Sequence, residues 1–406
     1  MVAAILAGLL LAAAAASAAD EASRPTWVSL SGTGLLSLPD TSTLERGRYN
    51  LAFTFDNQDR DPLKLDVLDL SAAWVAGLGP RLETYGHAVL SRAVAVSPRT
   101  TLFPSPIDLV VPEGQPVPQR PYYPLYTPFP YVNRTGKSQL GLFQPGDAVA
   151  GLKEALREPS GARPGLAASA ELKVPLAWGL ADLQSGSGTG TVDERVRLTA
   201  EWRSGGRSVV VSTAYTHRGR APWGDRLIVF DPSGPAAVTD LPLRLANDLG
   251  LGIGARQRLG SRVAAVAEVT KVVEVGGHTR AYREPGPLDI AAGAQLRWRG
   301  AAVTAGLRYH ANSVPGMIQY PSPLGGLADL SRVADDDLAP YLRAIGASGA
   351  LPFLRHRGQT ALALPAAGPP LPSEARILPA DFTVTAHDQL AYVLVCGWTF
   401  GKPAKR

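Results

Sequence analysis

The sequence predicts an all-β chain: a transmembrane, antiparallel, up-and-down β-barrel of about 12 strands, with about 14 as the alternative count. Three observations carry this expectation: strict apolar/polar alternation in many segments, the length of those segments, and the alternation of short and long connections between them. Side chains alternate faces along a strand, so one face can meet lipid while the other meets water. The alternating runs extend over ten residues or so, which suits a tilted spanning strand better than the five or six residues of a soluble sandwich strand.

The chain has 406 residues, of which 45% are hydrophobic and 18% charged. That balance is too polar for a bundle of membrane helices and lean in charge for a soluble protein, as a barrel with one apolar and one polar face should be. The opening MVAAILAGLLLAAAAASAAD reads as a secretory signal peptide over 1–19, cleaved near Ala18 or Ala19; a helical membrane anchor is the alternative reading. No later stretch stays apolar for as long, so a spanning helix is not expected in the mature chain. Residues 20–46 are expected to form an N-terminal periplasmic segment, 47–401 the barrel, and 402–406 a C-terminal tail.

From Tyr49 onward the strands follow one rule. Tyr49, Leu51, Phe53 and Phe55 oppose Asn50, Ala52, Thr54 and Asp56, and Leu68, Leu70, Ala72 and Trp74 oppose Val67, Asp69, Ser71 and Ala73. In GLAASAELKVPLAW, Leu166, Ala168, Ala170, Leu172 and Val174 oppose Ser169, Glu171 and Lys173. The clearest case is VDERVRLTAEWRS, where Val196, Leu198, Ala200 and Trp202 oppose Arg195, Arg197, Thr199, Glu201 and Arg203. The pattern recurs in RSVVVSTAYTHR, LRLANDLGLGIGARQR, LDIAAGAQLRWR and AAVTAGLRYHANS, and again in the closing QLAYVLVCGWTF.

Tight turns are expected at 77–81, 203–208, 258–262 and 298–301. Long connections are expected at 97–144, 181–191, 218–241, 276–287 and 312–386. Short periplasmic turns and long external loops should alternate, which they do from Val192 onward. Keeping that parity upstream requires one more strand, at Asp147–Arg157, although DAVAGLKEALR by itself has helical spacing. The long loops at 97–146 and 312–386 are then extracellular, and either could fold inward as a plug.

The motifs that would carry chemistry are weak. The glycines of QSGSGTGT precede a charged strand, whereas a phosphate-cradling loop needs a following helix. The six histidines lack metal-ligand spacing, and the single Cys396 permits neither an intramolecular disulfide nor a cysteine zinc site. His310 with Ser313 and His387 with Asp388 are the only neighbours that suggest a hydrolase. ADDDLAPYLRAIG reads as a helix start ended by Gly346, with an acidic calcium turn as the alternative. The net charge of +5 is spread along the chain, without a basic block for nucleic acid. The chain is therefore expected not to be an enzyme and to need no cofactor or metal.

The final strand, with its alternating apolar positions and terminal Phe400, resembles the insertion signal of bacterial outer-membrane proteins; GKPAKR follows it here. The segments GTGLLSLPDTSTLERGRY, DRDPLKLDVLDLSAAWVAGLGPRLETYG and AWGLADLQSGSGTGTVDERVRL resemble uncharacterised outer-membrane barrels, porin-like or transporter-like and similar in style to exopolysaccharide-associated barrels. The resemblance runs from Gly32 to Phe400 and implies an exported chain in the bacterial outer membrane. Its implied partners are membrane lipid, the barrel-assembly machinery and small solutes.

The expected lumen-lining set is Lys173, Arg195, Arg197, Glu201, Arg203, Arg244, Asp248, Arg256, Arg297 and Arg308. The expected membrane-girdle aromatics are Trp74, Trp202, Tyr215, Trp298, Tyr309, Trp398 and Phe400. The corresponding function is a porin-like channel for passive or facilitated passage of small solutes, with its lumen arginines favouring anions. The alternative is a non-conducting barrel that assists polysaccharide export or envelope assembly. Charges inside a barrel must pair or stay hydrated, so a closed lumen would show a packed ionic network and an open one would not.

Overall fold

A computed structural model describes residues 27–60, 65–95, 108–115, 139–177, 188–221, 224–231, 236–277, 288–298, 300–311, 316–319, 327–330, 333–353, 360–363, 369–378, 381–384 and 389–401. The expected signal peptide, the tail at 402–406, and Ser313, His387 and Asp388 lie outside the described residues.

Twelve antiparallel strands close into a barrel. In chain order they are β1 (Tyr49–Arg60), β2 (Leu65–Gly77), β3 (Leu82–Ala95), β4 (Asp147–Arg157), β5 (Gly165–Pro175) and β6 (Asp193–Ser204). They continue as β7 (Arg207–His217), β8 (Asn247–Arg258), β9 (Val263–Val275), β10 (Leu288–Trp298), β11 (Ala301–His310) and β12 (Gln389–Phe400). Each strand pairs with its sequence neighbours, and β12 returns to β1 with Phe400 opposite Tyr49 and Val393 opposite Asp56. Closure removes every sheet edge from the barrel wall and satisfies the backbone groups that lipid cannot.

The strand at Asp147–Arg157 is present, paired with β3 and β5. Its helical spacing loses because, inside a barrel wall, an unpaired neighbour on each side would leave two open edges. At the short-turn end, β6 and β7 are joined by Gly205 and Gly206, both with positive φ, the conformation a two-residue hairpin turn of this twist requires.

The two faces separate as the alternation demands. On β6, Val196 and Leu198 are 58% and 59% exposed, while Thr199 and Glu201 are 4% and 0% exposed. The outward faces of the other strands carry Leu51, Phe53, Leu152, Leu172, Val211, Leu251, Ile253, Leu307 and Leu390, all exposed. An apolar surface of this extent around a closed barrel is a lipid-facing surface. Among the described residues no helix is long and apolar enough to cross a membrane.

Three connections at the opposite end fold together. Asp108–Pro112, Gly224–Phe230 and Thr360–Ala363 lie side by side in parallel, flanked by Ala237–Pro242, Leu327–Asp329 and Arg376–Leu378, giving one six-stranded mixed sheet. Helix α1 (Asp335–Ala344) packs Leu338, Tyr341 and Leu342 with Val110, Ile228, Phe230 and Leu362 in an apolar core of its own. The buried Arg226 donates to Asp108, its neighbour on the adjacent strand of that sheet, at 2.8 and 2.9 Å. The long loops thus build an external cap from each other's strands.

Residues 27–46, expected below the barrel as a periplasmic segment, lie inside it. Leu35, Leu36 and Leu44 are buried with Ala73, Tyr85, Val210, Val266 and Val395 of the barrel wall. The barrel core is therefore made between the wall and the chain's own N-terminal segment.

Candidate functional site: a plugged lumen

The segment enters at the short-turn rim, reaches mid-barrel and returns to the same rim. Trp27 packs with Ala264 and Ala302, close to tight turns, and Val28 pairs with Thr33 in a small hairpin. Leu30 and Leu36–Leu38 form the inner tip. Leu35 N–H donates to Leu38 O at 2.8 Å and Asp40 N–H to Thr33 O at 3.0 Å, turning the chain back toward Leu44. The bridge between Arg46 and Gly77 then fixes its exit beside β2.

Irregular backbone at this depth has orphan N–H and C=O groups, and the barrel wall supplies the missing partners. Glu268 accepts from Leu36 N–H at 2.7 Å, from Ser37 N–H at 3.0 and 3.1 Å, from Ser37 Oγ at 2.5 Å and from Leu38 N–H at 3.2 Å. Glu83 accepts from Thr33 N–H at 3.0 Å and Leu44 N–H at 2.7 Å. Glu201 accepts from Thr41 N–H at 3.1 Å and Thr41 Oγ1 at 2.7 Å. Donors come from the wall as well: Lys153 Nζ reaches Thr33 O at 3.0 Å and Gln295 Nε2 reaches Leu35 O at 3.3 Å.

Charge and shape reinforce the seating. Arg256 donates to Asp40 at 2.7 Å, and the Arg297 guanidinium lies 3.5 Å from the centre of the Trp27 ring. Burial alone would raise the Asp40 pKa, but the positive charges of Arg256, Lys153 and Arg203 outweigh it and hold the carboxyl below the usual range. A β-carbon on Gly252 would fall 2.6 Å from Leu38 Cδ2, one on Gly254 2.8 Å from Leu35 Cδ2, and one on Gly306 2.9 Å from Leu36 Cδ2. These lumen-facing glycines make the hollow that the three leucines fill.

Above the tip, toward the external end, a cavity of about 330 Å³ remains. Its floor is Leu30, Ser31 and Leu36–Leu38, and its walls include Arg195, Arg197, His87, Thr216, Asp248 and Arg308. Arg195 and Arg197 both approach Glu171, at 3.2 and 3.4 Å, and Tyr85 Oη donates to the same carboxylate at 2.9 Å. Arg308 faces Asp56 at 3.3 Å. Nearer the external rim, Lys173 contacts Asp147 at 3.1 Å and Asp193 at 3.0 Å, while Arg218 pairs with Asp193 at 2.8 Å and also with Asp248.

Of the expected lumen set, Lys173, Arg195, Arg197, Glu201, Arg203, Asp248, Arg256, Arg297 and Arg308 project from inward positions of the register. Arg244 does not: β8 begins at Asn247, and Arg244 is exposed in the preceding connection, because the alternation seen in LRLAND continues past the end of pairing. The set splits by depth. Glu201, Arg203, Arg256 and Arg297 hold the plug, whereas Lys173, Arg195, Arg197, Asp248 and Arg308 surround the space above it.

The lumen is not predominantly basic. Asp56, Asp69, Asp147, Asp193 and Glu268, which the sequence reading did not count among its charges, offset the arginines, and Arg92 with Asp69 at 2.7 Å is one such pair. The packed ionic network is the signature expected of a closed lumen. The expected girdle aromatics, Trp74, Trp202, Tyr215, Trp298, Tyr309, Trp398 and Phe400, are all exposed on the outer face. Tyr49 joins them, stacked on Phe400 with ring centres 5.4 Å apart.

His310 Nδ1 lies 2.5 Å from Asp289 Oδ1 across neighbouring strands near the external end. Among the described residues there is no grouping of three or more His, Cys, Asp and Glu that could hold a metal ion.

No protein-family model and no curated protein matches the chain. Among solved structures it is similar to an outer membrane channel from Pseudomonas putida F1, with 9% identity and a TM-score of 0.45 over 90% of this chain and 100% of that one. It is similar also to the NanC porin, with 6% identity and a TM-score of 0.38 over 86% and 98% of the two chains. LpxR from Salmonella typhimurium matches with 7% identity and a TM-score of 0.34 over 87% and 99%. These structural neighbours are outer-membrane barrel proteins, and the likeness is one of architecture.

Proposed function

We propose that this chain is a bacterial outer-membrane channel for small solutes, held shut by its own N-terminal segment. The observation that carries the reading is the way the lumen is divided: a cavity under the external end, and below it a segment whose described ends, Trp27 and Arg46, both lie at the same rim. A barrel serving only as an anchor could fill its lumen with wall side chains. Here the wall is hollowed by Gly252, Gly254 and Gly306 to receive a separate piece of chain. Because that piece is a re-entrant loop, it can withdraw toward the periplasm without threading or breaking a strand pair.

The test is conductance in planar bilayers of the intact mature chain beside a chain lacking residues 27–44. The intact protein should be closed most of the time, and the shortened one should show discrete, salt-dependent steps. A shortened barrel that is folded, by its gel-mobility shift on heating, yet electrically silent overturns the channel reading. That result favours the non-conducting reading, a barrel that assists polysaccharide export or envelope assembly.

A further inference from the structure

We infer that the cavity above the plug is a binding site for a small monocarboxylate with an apolar body. The inference deepens the channel reading and rests on it only in taking the cavity as the mouth of the lumen. Arg195 and Arg197 share the single Glu171 carboxylate, which also accepts from Tyr85, so this cluster holds one positive charge more than it holds negative. Beside it Arg308 faces Asp56 at 3.3 Å. Arg218 and Lys173 face Asp147, Asp193 and Asp248, which places the compensating negative excess nearer the external rim. Among the described residues, the Arg195, Arg197 and Glu171 cluster thus places a surplus positive charge deep in the cavity.

The orientation of Arg195 fits recognition of a carboxylate. Its Nε–H is committed to Thr216 Oγ1 at 2.9 Å and Nη1 to Glu171 at 3.2 Å, and its side chain remains 36% exposed toward the space. Guanidinium groups bind carboxylates through parallel N–H bonds, which a chloride ion cannot satisfy. Part of the lining is apolar, Leu30, Leu36 and Leu38 of the floor with Ala214, Val393 and Val395 of the wall, and it stands beside the polar groups of Ser31, Ser37, His87, Ser212, Thr216 and Thr270. A cavity of about 330 Å³ is roughly twice one that takes a benzene ring, which leaves room for a six-carbon body beside the carboxylate. Since the floor of the cavity belongs to the N-terminal segment, the ligand would rest on the plug itself.

Titration calorimetry of the folded protein in detergent tests the site, with cyclohexanecarboxylate, acetate and the neutral cyclohexanecarboxamide as probes. Saturable binding of the first is expected, with acetate and the amide each weaker by about tenfold or more. Arg195→Gln and Arg197→Gln should each lose about tenfold or more, whereas Arg207→Gln, at the short-turn rim, should bind as the parent does. Ala214→Trp keeps every charge and fills the space, so it should abolish binding in a barrel that still shifts on heating. Equal binding of acid and amide, binding untouched by Ala214→Trp, or no saturation up to about 50 mM acid overturns the proposal. The readout needs no ion flow, so binding by the intact protein together with silence of the barrel lacking residues 27–44 would sink the channel reading and keep the site, and conduction by that shortened barrel without binding by the intact protein would do the reverse.

Discussion

Replacing Glu268 by Gln should loosen the plug while leaving the barrel closed. The carboxylate receives the buried Leu36 and Leu38 N–H groups and the half-buried Ser37 N–H and hydroxyl, all pointing at a negative charge. The amide keeps one weaker acceptor and turns an NH₂ group toward a backbone donor. Hydrogen bonds to a charged group contribute about 1.5–3 kcal/mol, so losing the charge and one bond costs about 3 kcal/mol of plug docking. Every 1.4 kcal/mol is a factor of about ten, so the undocked fraction should rise by about 100-fold. Amide hydrogen exchange reads that local opening directly. Residues 33–41 should exchange about 100-fold faster in the variant, and strands β4–β8 at parental rates. Plug protection within about threefold of the parent, in a folded barrel, would refute the assignment of Glu268 as its principal anchor.

Gly252→Val should force Leu38 from its hollow and raise the frequency of channel opening, while Gly250→Val should not, because a β-carbon at Gly250 meets nothing closer than 3.7 Å. Single-channel records of the two variants check this. The Asp40 carboxyl has its pKa lowered in the folded state, so its contribution is complete above about pH 4 and fades only as pH falls through the lowered value. Asp40→Asn should therefore weaken plug protection at neutral pH and flatten its decline in strong acid, as measured by exchange rates corrected for intrinsic pH dependence. Arg226→Ala leaves Asp108 buried without its guanidinium, which should cost about 3–5 kcal/mol in the external cap. Protease should then cut the cap quickly while the barrel keeps its heat-dependent gel mobility.

The barrel wall was legible because its two solvents impose a two-residue period, and because connection parity is a global constraint that could overrule the helical spacing of Asp147–Arg157. The plug was not legible for the converse reason. In GLLSLPD, Leu35, Leu36 and Leu38 all point into protein, so no period separates one face from another. A trace was nevertheless present in β8. Gly250, Gly252 and Gly254 occupy successive lumen positions between Asp248 and Arg256, and a spanning strand that offers no side chain over the middle of its inner face implies that something else fills that space. The carboxylates were the second trace. Glu83, Glu201 and Glu268 are almost completely buried, and they are held there by backbone N–H groups of a distant segment, a partner that side-chain charge counting does not register. Arg244 shows the opposite failure, where alternation continues past the last paired residue and imitates a strand.

The exit of the segment at Arg46, bonded beside Gly77, has a kinetic consequence. Only Gly47 and Arg48 separate that point from β1, so an undocked segment stays on a tether of a few residues at the mouth it has left. Its effective concentration at the lumen is then in the millimolar range, set by the tether and not by how much protein the membrane holds. Reclosure is first order, each barrel resets independently of its neighbours, and a free peptide of the same sequence would have to reach about millimolar concentration to compete.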